Sequence, residues 1–315
     1  MFYRNMKVLV TGGTGFVGTH IVQELLKHEA KVRVPMHNRP MIIKDDTIET
    51  VYADLDRLDD CKKAAKGVDF VFHAAGSVGA AGVTKSGIMA SITKNLVLNA
   101  YMLQAAWEAG VSRFLIFSSS TGYPVSDHAV KEEEMWTGPT HPIYFGYGWM
   151  RRYLERLTEF VAANSIMKLA IVRPSAVYGR YDNFDPVVSH VIPSLIRRAT
   201  AKENPYVVWG TGNEVRDFLH ISDFARGSLL MLEKYAESDA VNIGYGRGVT
   251  IKEVVQIVLE TTGHDAQVIF DSTKPTTIPF RMIDISKAQR VLNFKPEIDL
   301  EEGIKDTVKW YLSTI

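Results

Sequence analysis

Cysteine is almost absent from this chain. One residue in 315, Cys61, excludes an intramolecular disulfide and fits a reducing compartment, so a cytoplasmic protein is expected. Cys61 lies in the polar helical stretch 58–65, where nothing nearby in sequence would make a reactive thiolate, and it is not taken as catalytic. An excess of charge of one sign is missing too: Lys and Arg number 36, and Asp and Glu number 36. That balance speaks against a nucleic-acid or membrane partner, so any anion site must be local. No apolar run approaches the roughly 18 residues of a membrane span, and no charged-apolar-small leader is visible, so a soluble protein is expected. Repeats and low-complexity segments are lacking, and no metal site is expected.

What is present is an ordinary globular composition, 46% hydrophobic and 23% charged, in a chain long enough for one large or two modest domains. Predicted strands at 7–10, 31–34, 50–52, 70–73, 113–118 and 168–172 alternate with predicted helices at 16–27, 61–66, 91–109 and 147–163. Such alternation with short links means an α/β fold, a doubly wound parallel sheet of Rossmann type. Past Arg173 the rhythm changes, and Pro174, Pro186, Pro193 and Pro205 punctuate loops and a helix predicted at 187–199. A strand follows at 206–209, and a helix and strand within 223–243 return to the first sheet. The segment 250–315 adds helices and a strand at 266–270. The expected division is a dinucleotide-binding domain, 1–173 with about 222–245, and a smaller discontinuous substrate domain, 174–221 with about 246–315. The second leans over the open ends of the parallel strands, the crevice where such sheets bind ligands.

The strand at 7–10 runs straight into Gly12, Gly15 and Gly18, and a helix begins at once with Phe16 and Val17, followed by apolar Ile21, Val22, Leu25 and Leu26. Glycine permits the tight turn, the close approach of a pyrophosphate and the packing of helix on strand. The phosphates then sit on helix N-terminal amides, which predicts dinucleotide binding. The second strand carries no terminal acid to grip a ribose 2′-hydroxyl; Met36-His37-Asn38-Arg39 follows instead. An acid would repel a 2′-phosphate, whereas Arg39 would pair with it. NADP is therefore expected, with NAD as the alternative, Arg39 as the clamp and His37 beside it. Asp54 and Leu55 sit where an adenine-side contact is expected, and Ala74-Ala75-Gly76 leaves room for the pyrophosphate. Pro174, ending the last strand of the series, is taken as a further cofactor contact.

After the fifth strand comes Ser118-Ser119-Ser120-Thr121, and further on Tyr147-Gly-Trp-Met-Arg151 opens a helix. With the glycine turn, these residues resemble the extended short-chain dehydrogenase/reductase family, whose pattern is a strand-end serine and Tyr-x-x-x-Lys. The second half is similar to the GDP-L-fucose synthases and related GDP-sugar reductases of that family. Tyr178-Gly-Arg-Tyr-Asp-Asn183-Phe-Asp-Pro-Val-Val-Ser189-His190, Val207-Val-Trp209, Arg216-Asp-Phe-Leu-His220 and Phe270-Asp-Ser-Thr-Lys274 carry the similarity, and Ala74-Ala-Gly-Ser-Val-Gly-Ala echoes it. The resemblance implies hydride transfer at a sugar carbon. A ketone that accepts hydride needs a proton donor at its oxygen, and a tyrosine beside a cation suits the task. Tyr147 is that tyrosine, and Ser119 would bond the same oxygen. Tyr144 competes, but it would put Gly148 at the cation position.

Two departures stand out. Arg151 replaces the family's lysine; it keeps the charge and can reach ribose hydroxyls, but it is bulkier and no neutral proton shuttle. In the epimerising members a cysteine two residues past the serine works with a histidine on the protons beside the keto group. The histidine is matched by His190, whereas the cysteine position holds Thr121, a far weaker acid and base. Reduction at carbon 4 is therefore expected, with epimerisation in doubt. Thr121-Gly122-Tyr123 lacks the acid pair of the related dehydratases. A carbon-4 epimerase using bound NAD stays open, as does a non-catalytic dinucleotide-binding sensor or scaffold. The resemblance places Arg198, Arg216 and Lys274 around a nucleotide diphosphate, Trp209 on its base (guanine being favoured), and Asn183 and Ser189 on the sugar. It also implies a homodimer packed through the helices at 91–109 and 147–163.

Overall fold

The computed structural model describes residues 2–77, 85–274, 276 and 278–315, so Val78, Gly79 and Ala80 of the stretch 74–80 lie outside the described residues. In its first half, strands β1 (Lys7–Thr11), β2 (Lys31–Met36), β3 (Glu49–Tyr52), β4 (Phe70–His73) and β5 (Arg113–Phe117) alternate with helices α1 (Phe16–Lys27), α2 (Leu58–Ala65) and α3 (Lys85–Glu108). A short strand β6 (Ala129–Val130), helix α4 (Phe145–Asn164), β7 (Lys168–Pro174) and β8 (Ala176–Tyr178) follow. The rest comprises α5 (Val191–Thr200), β9 (Tyr206–Trp209), β10 (Val215–His220), α6 (Ile221–Lys234), β11 (Val241–Ile243) and β12 (Gly248–Thr250), then α7 (Ile251–Thr262), β13 (Val268–Asp271), β14 (Phe280–Ile283), α8 (Ser286–Leu292) and α9 (Leu300–Leu312).

Seven strands form one sheet in the order β11-β7-β5-β4-β1-β2-β3, every pair parallel. Alternate residues of β1 divide between the two faces. Val8 and Val10 join Ile21 and Leu25 of α1 and Phe224 of α6, while Leu9 joins Met102 of α3 and Leu154 of α4. Both faces are thus covered, which is why the central strands are apolar along most of their length, with polar residues at their ends. Burying one such Leu or Phe contributes about 1.5–3 kcal/mol. Order reverses between β1 and β4, and the crevice at that reversal is where a doubly wound sheet takes its ligand. The fold is the expected Rossmann-type α/β architecture.

Beyond β7, β12-β10-β14-β6 form a second sheet, with β8 alongside β10, and β9 pairs with β13. Their core gathers Ile192, Ile196, Tyr206, Val254, Val258 and Ile304. No helix among the described residues is long and apolar enough to cross a membrane.

Four helix starts differ from expectation, that of α4 only by the two residues between 147 and Phe145. Helix α2 begins at Leu58 rather than 61, with Asp59 and Asp60 in its first turn, where acids favour a helix N-terminus. Helix α3 begins at Lys85 rather than 91. Helix α5 begins at Val191 rather than 187. Asp185 accepts the Val187 and Val188 amides at 2.8 and 3.3 Å and its carbonyl takes the Ser189 amide at 3.0 Å, so 185–189 is a turn and His190 becomes the N-cap.

Candidate active site

The glycine turn is built for a ligand's backbone-close approach. Gly12 has φ +68°, and a Cβ there would lie 2.7 Å from the Ala74 carbonyl, while one on Gly18 would lie 2.1 Å from the Gly12 oxygen. Gly15 caps α1 with no side chain over the helix start and no acid in the first turn. The amides of Phe16 and Val17 are therefore among the helix's unsatisfied donors, at its positive end. Across the crevice, the Thr11 hydroxyl accepts the Ala75 amide at 3.1 Å and shares a hydrogen bond with His73 Nδ1 at 2.7 Å. Burial pushes His73 down to about 3, so it remains neutral and pins the β1 and β4 loops together. Ala74, Ala75 and Gly76 line this wall. These features fit a dinucleotide.

At the far end of β2, His37 and Arg39 are exposed, and His37 Nδ1 lies 3.9 Å from Asp54 Oδ1. The Asp54 amide bonds Asp60 at 2.9 Å, and Leu55 is buried over α2. Cys61 is buried there too, its thiol pushed up to about 12 by burial and the nearby acids, so no thiolate forms.

The three consecutive serines part company. The Ser118 hydroxyl donates to Glu155 inside the protein. Ser119 is extended, and its oxygen accepts the Thr121 amide at 3.2 Å and the Thr121 hydroxyl at 3.0 Å. With both bonds incoming, the hydrogen of Ser119 is left to point elsewhere. Thr121 thus steers Ser119.

Helix α4 brings the remaining groups on one face, at i, i+4 and i+8. Tyr147 is half-buried, and its Oη is shielded from solvent with no hydrogen-bond partner among the described residues. Buried hydroxyls are normally bonded, and this one has a hydrogen bond still to make. One turn on, Arg151 donates to the Phe117 carbonyl at 2.8 Å. Desolvation lowers Arg151 from the usual guanidinium range, and Tyr147 and Glu155 oppose the shift. One turn further, Glu155 takes the Arg173 Nε and Nη2 at 2.9 and 2.7 Å. Arg173 also donates to the Tyr123 Oη and the Glu132 carbonyl at 2.9 and 2.7 Å, and Tyr123 donates to Asn242 of β11 at 2.6 Å. This buried network fastens α4 to the ends of β5, β7 and β11. Pro174 follows it directly, half-buried at the close of β7.

Tyr144 serves another place. Its ring lies under the Arg281 guanidinium, 4.4 Å from the centroid. Arg281 of β14 is the register partner of Arg216 of β10. Both are half-buried and lowered by desolvation, and Tyr144 opposes that shift in each. Two desolvated cations side by side suit a multiply charged anion. Arg281 was missed in sequence; an arginine inside the apolar run 278–283 was the available sign.

Arg198 is not free to join them. It forms a bidentate pair with Glu203 at 2.7 and 2.6 Å and donates to the Val207 carbonyl at 2.7 Å. Trp209 and Lys274 are exposed at the end of the β9–β13 pair, where Trp209 is in register with Asp271. Asn183 is exposed and accepts the Asp185 amide at 3.0 Å, and Ser189 is half-buried. His190 has a side chain 58% exposed, with Nδ1 3.6 Å from Asp182 Oδ1, an ion-pair distance too long for a hydrogen bond. Asp182 raises His190 above its ordinary value, against desolvation.

A glycine turn at the sheet's switch point, a serine at the end of β5 and a tyrosine one helical turn from an arginine match a Rossmann-fold enzyme of the short-chain dehydrogenase/reductase type. Residues 8–244 match the NAD dependent epimerase/dehydratase family, and the chain belongs to it. The chain is 31% identical to a probable GDP-L-fucose synthase of Oryza sativa subsp. japonica, over 98% of this chain and 93% of the relative. It is 30% identical to a dTDP-4-dehydro-6-deoxy-D-allose reductase of a Streptomyces species, over 96% and 95%. In three dimensions it is similar to UDP-glucose 4-epimerase of Thermotoga maritima, solved with UDP-glucose, at TM-score 0.87 and 25% identity, covering 98% of this chain and 99% of that one. The chain is thus an enzyme rather than a non-catalytic binder.

Proposed function

We propose that the enzyme is a cytoplasmic, NADP-dependent reductase that acts at carbon 4 of a 4-keto-6-deoxy sugar linked to GDP. The observation that carries this is the shielded, partnerless hydroxyl of Tyr147, one helical turn from Arg151. The family resemblance puts Ser119 beside it. The nicotinamide dinucleotide supplies the hydride when bound. Gly12, Gly15 and the amides of Phe16 and Val17 would hold its pyrophosphate, with Ala74–Gly76 opposite and Asp54, Leu55 and Pro174 at its flanks. Tyr147 donates its proton to the keto oxygen, Ser119 fixes that oxygen, and Arg151 bears the positive charge beneath them. Arg216 and Arg281, in register on neighbouring strands, take the diphosphate. Trp209 and Lys274 meet the base, and Asn183 and Ser189 the sugar. In this reading 1–173 with about 222–245 hold the dinucleotide, and 174–221 with 246–315 hold the sugar nucleotide. Trp149, Tyr153 and Phe160, exposed on α4, support a homodimer through α3 and α4.

Incubation with GDP-4-keto-6-deoxymannose and NADPH in D₂O tests the reading. The expected product is reduced at carbon 4, with deuterium entering one neighbouring carbon and that entry lost in His190→Gln. Thr121 cannot serve the opposite face, so double inversion at carbons 3 and 5 is slow or absent. Deuterium at both carbons at the rate of turnover, with L-configured product, would overturn the single-site chemistry. A carbon-4 epimerase is the second reading, favoured by the likeness to the Thermotoga maritima enzyme. It would interconvert sugars with no net consumption of NADPH. Cofactor choice rests on Arg39. Arg39→Ala weakens NADPH binding by about tenfold or more and leaves NADH nearly unaltered, as titration of each coenzyme reports. Equal losses for both would remove the 2′-phosphate contact.

A further inference from the structure

The loop from 179 to 190 holds a carboxylate whose surroundings call for explanation. Asp182 is buried, its side chain 2% exposed. Its Oδ1 accepts the Asn183 amide at 2.7 Å, whereas its Oδ2 is shielded from solvent and has no hydrogen-bond partner among the described residues. A buried carboxylate is costly unless a cation offsets it. The guanidinium nearest in sequence, Arg180, is committed in a bidentate pair with Asp306 of α9. The titratable group that faces this carboxylate is the imidazole of His190, whose Nδ1 lies 3.6 Å from Oδ1.

The backbone is held to make this meeting happen. Tyr181 sits at φ +65°, a left-handed conformation that an aromatic residue rarely adopts. Such strain persists only where surroundings enforce it. Here the Tyr181 ring is packed between His20 of α1 and Trp310 of α9, with centroids at 5.5 and 5.2 Å. The next residue, Asp182, is thereby turned inward. On the other side, the Asp185 turn stops α5 from starting early and leaves His190 as its N-cap, with its side chain toward Asp182. A cation at a helix N-terminus is disfavoured by the dipole, so α5 by itself would favour neutral His190. Asp182 is the charged group that opposes this among the described residues, and His190 rises above its ordinary value in consequence. The neighbouring titratable groups His20, His220, Arg180 and Asp306 form a separate cluster against α1 and α9.

We infer that Asp182 is the positioning residue of His190, its carboxylate facing the Nδ1 edge at ion-pair distance so that Nε2 is the atom that exchanges a proton with the sugar. The inference rests on the reading of His190 as the proton carrier of the keto-sugar reductase. In the exchange, Nε2 takes the proton from the carbon beside the ketone. The C–H electron pair becomes the enolate double bond, and the keto oxygen takes the negative charge, held by Ser119 and Tyr147. The same proton, or one exchanged with solvent, then returns from Nε2 to that carbon. Asp182 stabilises the imidazolium that exists between the two transfers, as a carboxylate behind a general-base histidine does elsewhere.

Asp182→Asn tests the pairing, since asparagine keeps the acceptor for the Asn183 amide and removes only the charge. The His190 ring resonance, assigned by its loss in His190→Gln, is followed by NMR across pH. In the native enzyme His190 titrates above the ordinary value of about 6.5, and in Asp182→Asn it falls by about one unit. Deuterium exchange at the sugar carbon falls about tenfold at neutral pH, while reduction at carbon 4 falls much less. Asp182→Glu restores part of the exchange. A folded Asp182→Asn protein with an unmoved His190 titration would overturn the inference. Should that variant fail to fold, a native His190 titrating at or below the ordinary value overturns it equally. A native His190 that titrates high, and moves in Asp182→Asn, while no sugar carbon exchanges, upholds the pairing and overturns the proton-carrying role assigned to His190.

Discussion

Replacing Tyr147 by phenylalanine lowers turnover of the keto sugar by at least ~100-fold and leaves coenzyme affinity near its native value. The change removes one oxygen, and that oxygen is buried without a partner among the described residues, so folding loses no hydrogen bond with it. What is lost is the proton that must reach the sugar oxygen as hydride arrives at carbon 4. Removing a positioned general acid typically costs 10²–10⁴ in rate. In the proposed site the coenzyme is held mainly by the glycine turn and the N-terminus of α1, which the substitution does not touch. Steady-state turnover with NADPH, alongside a fluorescence titration of coenzyme, separates the two effects. The control is Tyr144→Phe, which should leave turnover close to native, because it keeps the ring that packs under Arg281. If Tyr144→Phe abolishes turnover and Tyr147→Phe does not, the catalytic tyrosine has been misassigned.

Glu155→Ala destabilises the fold by about 3–5 kcal/mol, the scale of a buried ion pair that loses one partner. Arg173 and Glu155 are 3% and 2% exposed, so the guanidinium left behind could not recruit water in exchange. Ser118 would lose its acceptor at the same time. Urea unfolding measures the loss directly, and a change below about 1 kcal/mol would show that the network is more solvated than its burial indicates. Replacing both partners with apolar residues recovers only part of the loss. Arg173 also satisfies Tyr123 and the Glu132 carbonyl, and those groups would stay unpaired.

The parts of this enzyme legible in sequence are those set by local pattern. The run from Lys7 through Gly18 carries its own strand, turn and helix start. That Tyr147 and Arg151 share one face of a helix was readable because one turn separates them. The parts that were not legible depend on pairings distant in sequence. Nothing near Arg216 says that Arg281 will be its neighbour across two strands. Arg198 looked available because its commitment to Glu203 is decided by how α5 ends. The start of α5 was misread because the apolar residues Val187 and Val188 continue a helical pattern, while Asp185 captures their amides and holds them in a turn. Of the three consecutive serines, only the buried position of Glu155 shows which one is structural.

The last strand to join the large sheet, β11, comes from Val241–Ile243, after the chain has gone out to form β8, α5, β9 and β10 and has returned. During synthesis, a chain that has emerged only as far as β7 therefore presents an open sheet edge, a ready template for pairing with another chain. The edge is covered only when a further stretch of chain, containing much of the core around Ile192, Tyr206 and Phe218, has left the ribosome. Neither half of the gene, cut at a single point after β7, encodes a complete sheet. The unit that folds, and the unit on which duplication or recombination could act without exposing that edge, is the chain through β11 at least.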